Sequence, residues 1–126
     1  MRERCLVLLK PDALMLGLKQ EIENRLREAG LAFMSEKELL LTRSFILRWR
    51  NWDHYAESFW RHVDFVTSSP VIVQIWEGAD AVYIVREVKK RIRLEFAESP
   101  EKNVMHSPDT TIEAEDEINL FFSEKE

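Results

Sequence analysis

His106 lies in the stretch Asn103-Val104-Met105-His106-Ser107-Pro108-Asp109, where an apolar pair precedes the imidazole and a turn with a helix-capping aspartate follows it. That order predicts a short strand ending at His106, just before a helix begins. An imidazole titrates near neutrality, so an unprotonated ring nitrogen is available as a nucleophile at cellular pH. A lone histidine is more often structural. Two other features point this one toward phosphate chemistry. Near the other end of the chain, Lys10-Pro11-Asp12 closes an apolar run. Proline stops strand pairing there, so the sheet hands over to a loop and the Lys10 ammonium stands at its rim. Between these ends, Arg86, Lys89, Lys90, Arg91 and Arg93 crowd into a short span. Helix-end cations favoured by the dipole account for some of them. Five are more than capping needs, and arginine suits a bidentate grip on phosphate oxygens.

The elements that must position these groups follow from periodicity. Cys5 to Leu9 is a continuous apolar run, read as a buried central strand. Leu18, Ile22, Leu26 and Ala29 fall at helical spacing, with Gly30 as the stop. Leu31 to Leu41 alternates as a strand with one buried face and Glu36 and Glu38 on its wet side. Thr42 caps a helix from Arg43. Phe45, Ile46, Trp49, Trp52, Phe59, Trp60, Val63 and Val66 continue a helical pattern, with a break near Asn51-Trp52-Asp53. These aromatics read mainly as core, with one or two rings able to stack on a base. Val71 to Trp76 is a β-branched strand turned by Glu77-Gly78, and Ala81, Val82, Val85 and Val88 give the next helix its buried side. Asp109 or Thr110 caps a last helix, with Glu113 as capping-box partner. This order predicts an α+β fold of the ferredoxin-like, split βαβ class, a four-stranded antiparallel sheet with helices on one face. Lys10, Arg86, Arg93, Asn103 and His106 would then converge on one cleft.

The whole chain bounds the reading. Its 126 residues make a single domain, residues 1–126, long enough for a real core. A hydrophobic share of 45% with 33% charged residues is that of a globular chain. The net charge of −5 argues against a general nucleic-acid coat while leaving room for a local basic pocket. Cys5 is the only cysteine, so the chain forms no internal disulfide and a reducing, cytoplasmic setting is expected. The first residues do not read as a signal peptide, and no stretch approaches transmembrane length.

Six pieces in order resemble the nucleoside diphosphate kinase family: Glu3 to Ala13, the Glu21-Ile22 helix running to Leu31, Thr67 to Val71, Trp76 to Val82 with Val85-Arg86, Asn103 to His106, and Glu117 to Phe122. The resemblance covers nearly the full length. It implies a ping-pong phosphoryl transfer in which His106 takes the γ-phosphate of a nucleoside triphosphate and passes it to a nucleoside diphosphate. Lys10, Arg86 and Arg93 match the family's phosphate-binding cations, Asn103 its ribose- and phosphate-contacting asparagine, and Glu117 the carboxylate that orients the imidazole. Magnesium would arrive on the nucleotide rather than in a protein cage. A homo-oligomer, a dimer or a dimer-based assembly, is implied as well.

This chain also departs from the family. The segment between Arg86 and Arg93 is shorter by roughly ten residues, in a region where length changes cost little, and the family's threonine phosphate ligand goes with it. In the ungapped register Arg50 stands where members have a tyrosine, and Ser58 where they have the base-stacking phenylalanine. Phe59, next door, takes the stacking role, although His54-Tyr55 locally looks like the family's His-Tyr pair. Pro108 replaces the serine two residues after the histidine, with Ser107 as a partial substitute. These departures define the alternative, a nucleotide-binding or partner-binding module of the same fold with impaired catalysis. A metal-dependent hydrolase using His54, His62 and His106 is a third reading. His54 and His62 are eight residues apart, however, two helical turns and too far to share one metal.

Overall fold

The computed structural model describes residues 2–50 and 56–123. A four-stranded antiparallel sheet in the order β2-β3-β1-β4 is built from β1 (Arg2–Leu9), β2 (Ala32–Leu39), β3 (Val71–Ala79) and β4 (Met105–His106). The helices are α1 (Pro11–Met15), α2 (Lys19–Glu28), α3 (Arg43–Trp49), α4 (Glu57–Val66), α5 (Ala81–Phe96) and α6 (Thr111–Phe121). The ferredoxin-like α+β expectation holds, with one correction. Helices cover both faces of the sheet. Cys5, Val7, Leu9 and Trp76 pack with Ile22, Leu26, Val85 and Ile92 of α2 and α5. Leu6, Leu8, Val73 and Ile75 pack instead with Ile46, Phe59, Val63, Ile118 and Phe121 of α3, α4 and α6. The continuous apolar run of β1 follows from this: successive side chains point to opposite faces, and neither face meets water.

Local signals set the boundaries. Gly30, at φ 98°, ends α2; its N–H donates to Arg27 O (2.9 Å), and Leu31 N–H reaches back to Leu26 O (3.1 Å), a Schellman closure. Thr42 Oγ1 caps α3 by accepting Phe45 N–H, and Thr110 Oγ1 caps α6 by accepting Glu113 N–H. The Glu113 carboxylate returns to Asp109 N–H rather than to the cap's own amide.

Other expectations change. Pro11 opens α1 at its first helical position, where its missing N–H costs nothing, instead of a loop. The Leu31–Leu41 alternation is split by a bulge between Phe33 and Ser35. Phe33 therefore packs edge-on against Trp76, while Leu39 joins the opposite core. Glu77-Gly78 does not turn the chain; both continue β3, and the reversal comes at Asp80 with φ 54°. Gly78 serves close packing there, since a Cβ would lie 2.7 Å from Leu31 Cδ2. The break expected near Asn51-Trp52-Asp53, with His54 and Tyr55, lies outside the described residues. Finally, α5 runs unbroken from Arg86 through Arg93, so the shortened segment is helix rather than loop. No Gly or Pro interrupts it.

Candidate active site

The site begins where β1 ends. Leu8 and Leu9 pair with His106 and Met105, so the catalytic candidate rides on the strand beside Lys10. Lys10 N–H donates to Val104 O at 2.9 Å, and Asp12 Oδ2 accepts Val104 N–H at 3.0 Å. Met105 N–H closes back on Asn103 O at 2.9 Å, putting Val104 at φ 81° in the centre of a tight positive-φ γ-turn. That backbone is costly for a β-branched residue, and the Lys-Pro-Asp corner holds it two residues before the imidazole. Burial pushes the Asp12 carboxyl upward, against the pull of its bond to Val104.

His106 is locked from three sides. Its Nε2 lies 3.1 Å and 3.2 Å from the two Glu117 carboxylate oxygens, so the ring proton belongs there and Nδ1 keeps its lone pair. Glu117 in turn accepts the indole N–H of Trp49 at 3.0 Å, and the Trp49 ring meets the imidazole edge to face at 5.0 Å. Arg50 Nη1 stands 3.4 Å from Nδ1. Burial lowers the pKa of His106, with Glu117 opposing and Arg50 and Lys89 adding to the fall. The result is an oriented imidazole held toward its neutral form. Trp49→Phe would remove the indole donor and keep the ring packing. We expect phosphoryl transfer to fall roughly 10- to 100-fold, the size of one hydrogen bond to a charged group, with the thermal midpoint lowered by a few degrees while the fold is kept in a melting curve.

Cations gather beside it. Lys10 Nζ donates to Asn103 Oδ1 at 2.6 Å and to Glu101 O at 3.3 Å. Burial, and then the neighbouring Arg93, push its pKa down to about 8. Arg93 donates from Nη2 to Met105 O at 2.6 Å and from Nε to Asn103 O at 3.3 Å, tying α5 to β4. Lys89, one helical turn earlier, is buried and donates to Ser107 O at 3.4 Å. Burial presses on the charge of both groups.

A cleft of about 270 Å³ joins these groups, lined by Lys10, Arg50, Arg93, Asn103 and His106 at its polar end and by Phe59, Val63 and Val66 at its apolar one. The structure thus brings together Lys10, Phe59, Arg93, Asn103 and His106, with Glu117 directly behind the imidazole. Phe59 is buried in the core and packs edge-on against Trp60, its ring reaching the cleft wall. Arg86 is the correction to the expected cluster. Seven residues before Arg93 on the same helix, it sits roughly 10 Å along the axis. It pairs instead with Asp109 at 3.6 Å in a neighbouring groove. Ser107 does not replace the missing serine hydroxyl, because its buried Oγ has no hydrogen-bond partner. Sequence reasoning missed Trp49, which shares a helix face with Phe45 and Ile46 and so reads as core. His62, named there only as a candidate metal ligand, instead stands at the cleft wall with its Nε2 2.9 Å from Pro100 O. Of the third reading's histidines, His54 lies outside the described residues; among those described, no three His, Cys, Asp or Glu side chains gather as a metal would need.

The family model described as nucleoside diphosphate kinase matches residues 3–126. A nucleoside diphosphate kinase of Archaeoglobus fulgidus is 34% identical, over 98% of this chain and 89% of its own. One from Anaplasma phagocytophilum is also 34% identical, over 100% and 97%. Among solved structures, the Aquifex aeolicus nucleoside diphosphate kinase superposes with a TM-score of 0.88 at 28% identity, covering 100% of this chain and 99% of that one. The Encephalitozoon cuniculi nucleoside diphosphate kinase gives 0.89 at 28% identity over 98% and 90%. With a full-length family match laid over a sheet, a strained turn and an oriented histidine of its own, this chain belongs to the nucleoside diphosphate kinase family.

Proposed function

We propose that the chain is a nucleoside diphosphate kinase working by two successive in-line displacements at His106. One observation carries the reading: Glu117 occupies Nε2, leaving the Nδ1 lone pair beside a cleft whose charged lining is cationic. In the first step Nδ1 attacks the γ-phosphorus of a nucleoside triphosphate. The N–P bond forms as the bond to the β,γ-bridging oxygen breaks, and the electron pair leaves with the nucleoside diphosphate. Nε2 keeps its proton, and Glu117 balances the positive charge on the substituted ring. The second step runs in reverse with a different diphosphate. Such a reaction needs alignment and fixed positive charge more than proton transfer, and Lys10 and Arg93 supply that charge, with Asn103 positioned by Lys10 to meet the ribose and phosphates.

Magnesium would come with the nucleotide. Among the described residues the cleft lining holds no carboxylate to cage a divalent ion, and its donors suit phosphate oxygens. Bound to the phosphates, the ion would neutralise charge on the leaving group. The apolar wall of Phe59, Val63 and Val66 offers a base surface without hydrogen-bond selectivity. Arg86 receives no phosphate contact in this scheme while it holds Asp109. A homo-oligomer in the cytoplasm accompanies the reading. No helix among the described residues is long and apolar enough to cross a membrane.

Isotope exchange tests the scheme. With ATP and labelled ADP alone, a ping-pong enzyme exchanges label between them in the absence of any second acceptor, and initial velocities give parallel double-reciprocal lines. Intersecting lines with no exchange would require direct transfer between two bound nucleotides and remove His106 as carrier.

A further inference from the structure

We infer that Arg50 is a catalytic residue of this transfer, its guanidinium resting on His106 Nδ1 before the reaction and holding the phosphoryl group at the same place afterwards. The inference rests on the phosphohistidine reading and adds a residue that the family resemblance does not supply, since members carry a tyrosine in that register.

Geometry is the first support. Arg50 Nη1 lies 3.4 Å from Nδ1, the one ring nitrogen with a lone pair to use. That separation is long for an N–H···N bond, so little is lost when the guanidinium moves off the nitrogen. Once the N–P bond forms, Nδ1 has no lone pair to accept a hydrogen bond. The phosphoryl oxygens then occupy the space next to it, within reach of the same five-donor fork. The reacting bonds are those of the proposed first step, and Arg50 gains or loses no proton because arginine stays charged.

Its mounting is the second support. Arg50 is the C-terminal cap of α3, its N–H donating to Ile46 O at 2.6 Å, and its Cζ lies 5.3 Å from the Trp49 ring. Trp49 is itself pinned by Glu117 and packed on Phe121 at 4.9 Å. Arg50 also stands on the ridge between the phosphate cleft and a second hollow of about 280 Å³ lined by Glu113, Asp116 and Glu117. The side chain is thus aimed at the imidazole by residues that already orient it.

The third support is what the site lacks. By the family resemblance a threonine ligand is absent with the shortened segment, and Arg86 pairs with Asp109. A tyrosine in place of Arg50 would contribute one neutral donor. Arginine adds a full charge and a bidentate grip beside the transferring group, replacing donors lost elsewhere.

The test compares wild type with Arg50→Gln and Arg50→Lys, both checked for native circular dichroism. Rapid-quench labelling with magnesium and γ-labelled ATP gives the rate of phosphoenzyme formation. We expect a loss of about 100-fold in Arg50→Gln, the cost of one preorganised donor to developing charge, and partial recovery in Arg50→Lys. NMR titration of the His106 ring supplies a readout that a structural role would not move. The charges facing this imidazole are Glu117 from α6, Lys89 from α5 and Arg50 from α3. Removing Arg50 takes away a repulsive cation, so the His106 midpoint should rise, and the acid limb of kcat/KM should move to higher pH with it. An Arg50→Gln protein that labels at the wild-type rate with an unmoved His106 midpoint would overturn the inference and leave the phosphohistidine reading intact. Absence of label in wild type would instead overturn that reading, and this inference with it.

Discussion

Replacing His106 with alanine should abolish phosphoenzyme formation and lower turnover by about 10⁴-fold or more, as expected when the only nucleophile of a covalent mechanism is removed. The fold should survive. β4 is held by its backbone pairing to Leu8 and Leu9 and by the Arg93 bond to Met105 O, none of which needs the imidazole. Glu117 keeps the Trp49 indole donor after the ring has gone. Stability loss should therefore stay within about 1–2 kcal/mol, read by thermal denaturation. His106→Ala retaining full nucleotide transfer would refute the assigned nucleophile, and a variant that unfolds would place the histidine in the scaffold instead.

Lys10→Met carries the second large effect, with opposite signs for activity and stability. The Lys10 side chain is 8% exposed, and burial holds its pKa at about 8 against 10.5 for the free side chain. Keeping it charged in the fold therefore costs on the order of 3 kcal/mol at neutral pH. The sign follows from proton counts. Below pH 8 both folded and unfolded chains hold the proton and the cost is present in full. From pH 8 to 10.5 the unfolded chain binds more protons than the folded one, so stability rises with pH across that window. Methionine keeps the stem's packing and removes the charge. It also leaves Asn103 Oδ1 without its 2.6 Å donor, which offsets part of the gain.

Lys10→Met should match or exceed wild type in urea denaturation at pH 7 and lose the alkaline rise. Phosphoenzyme formation should fall by about 100-fold for want of one fixed charge at the transferring group. A site that costs stability until phosphate arrives is an ordinary trade between stability and activity. A nucleotide should repay it by lifting the Lys10 pKa, visible as a ligand-induced rise in melting temperature that Lys10→Met shows weakly.

Much of this was legible in the residues. The apolar run of β1, the Gly30 stop, the Thr42 and Thr110 caps and the His106 strand end each rest on local chemistry, and each stands where that chemistry puts it. What escaped depends on contacts distant in sequence. The bulge at Phe33–Ser35 answers to the register of β3 and reverses which face the upstream side chains meet. The second helical layer was implicit in the unbroken apolar run Cys5–Leu9 of β1, which asks for cover on both faces, but which helices supply it depends on packing distant in sequence. Trp49 carries its meaning in the N–H aimed at Glu117, 68 residues away, while its spacing is that of any core aromatic. Arg86 shows the converse. Its phosphate role came from the family resemblance, while in the structure it pairs with Asp109 in another groove. Val104 looks like a strand residue by type and is bent into a positive-φ turn only because Asp12 and Lys10 hold its amide and carbonyl.

The most direct measurement is single-turnover labelling of the intact protein with magnesium and γ-labelled ATP, followed by chemical stability and discharge. The account predicts one label per chain, labile in acid and stable in base as a phosphoramidate is, mapped to His106 and released on adding CDP with label recovered in CTP. A protein that binds ATP or ADP but never acquires label would contradict it, and would make this chain a nucleotide-binding member of the family without turnover.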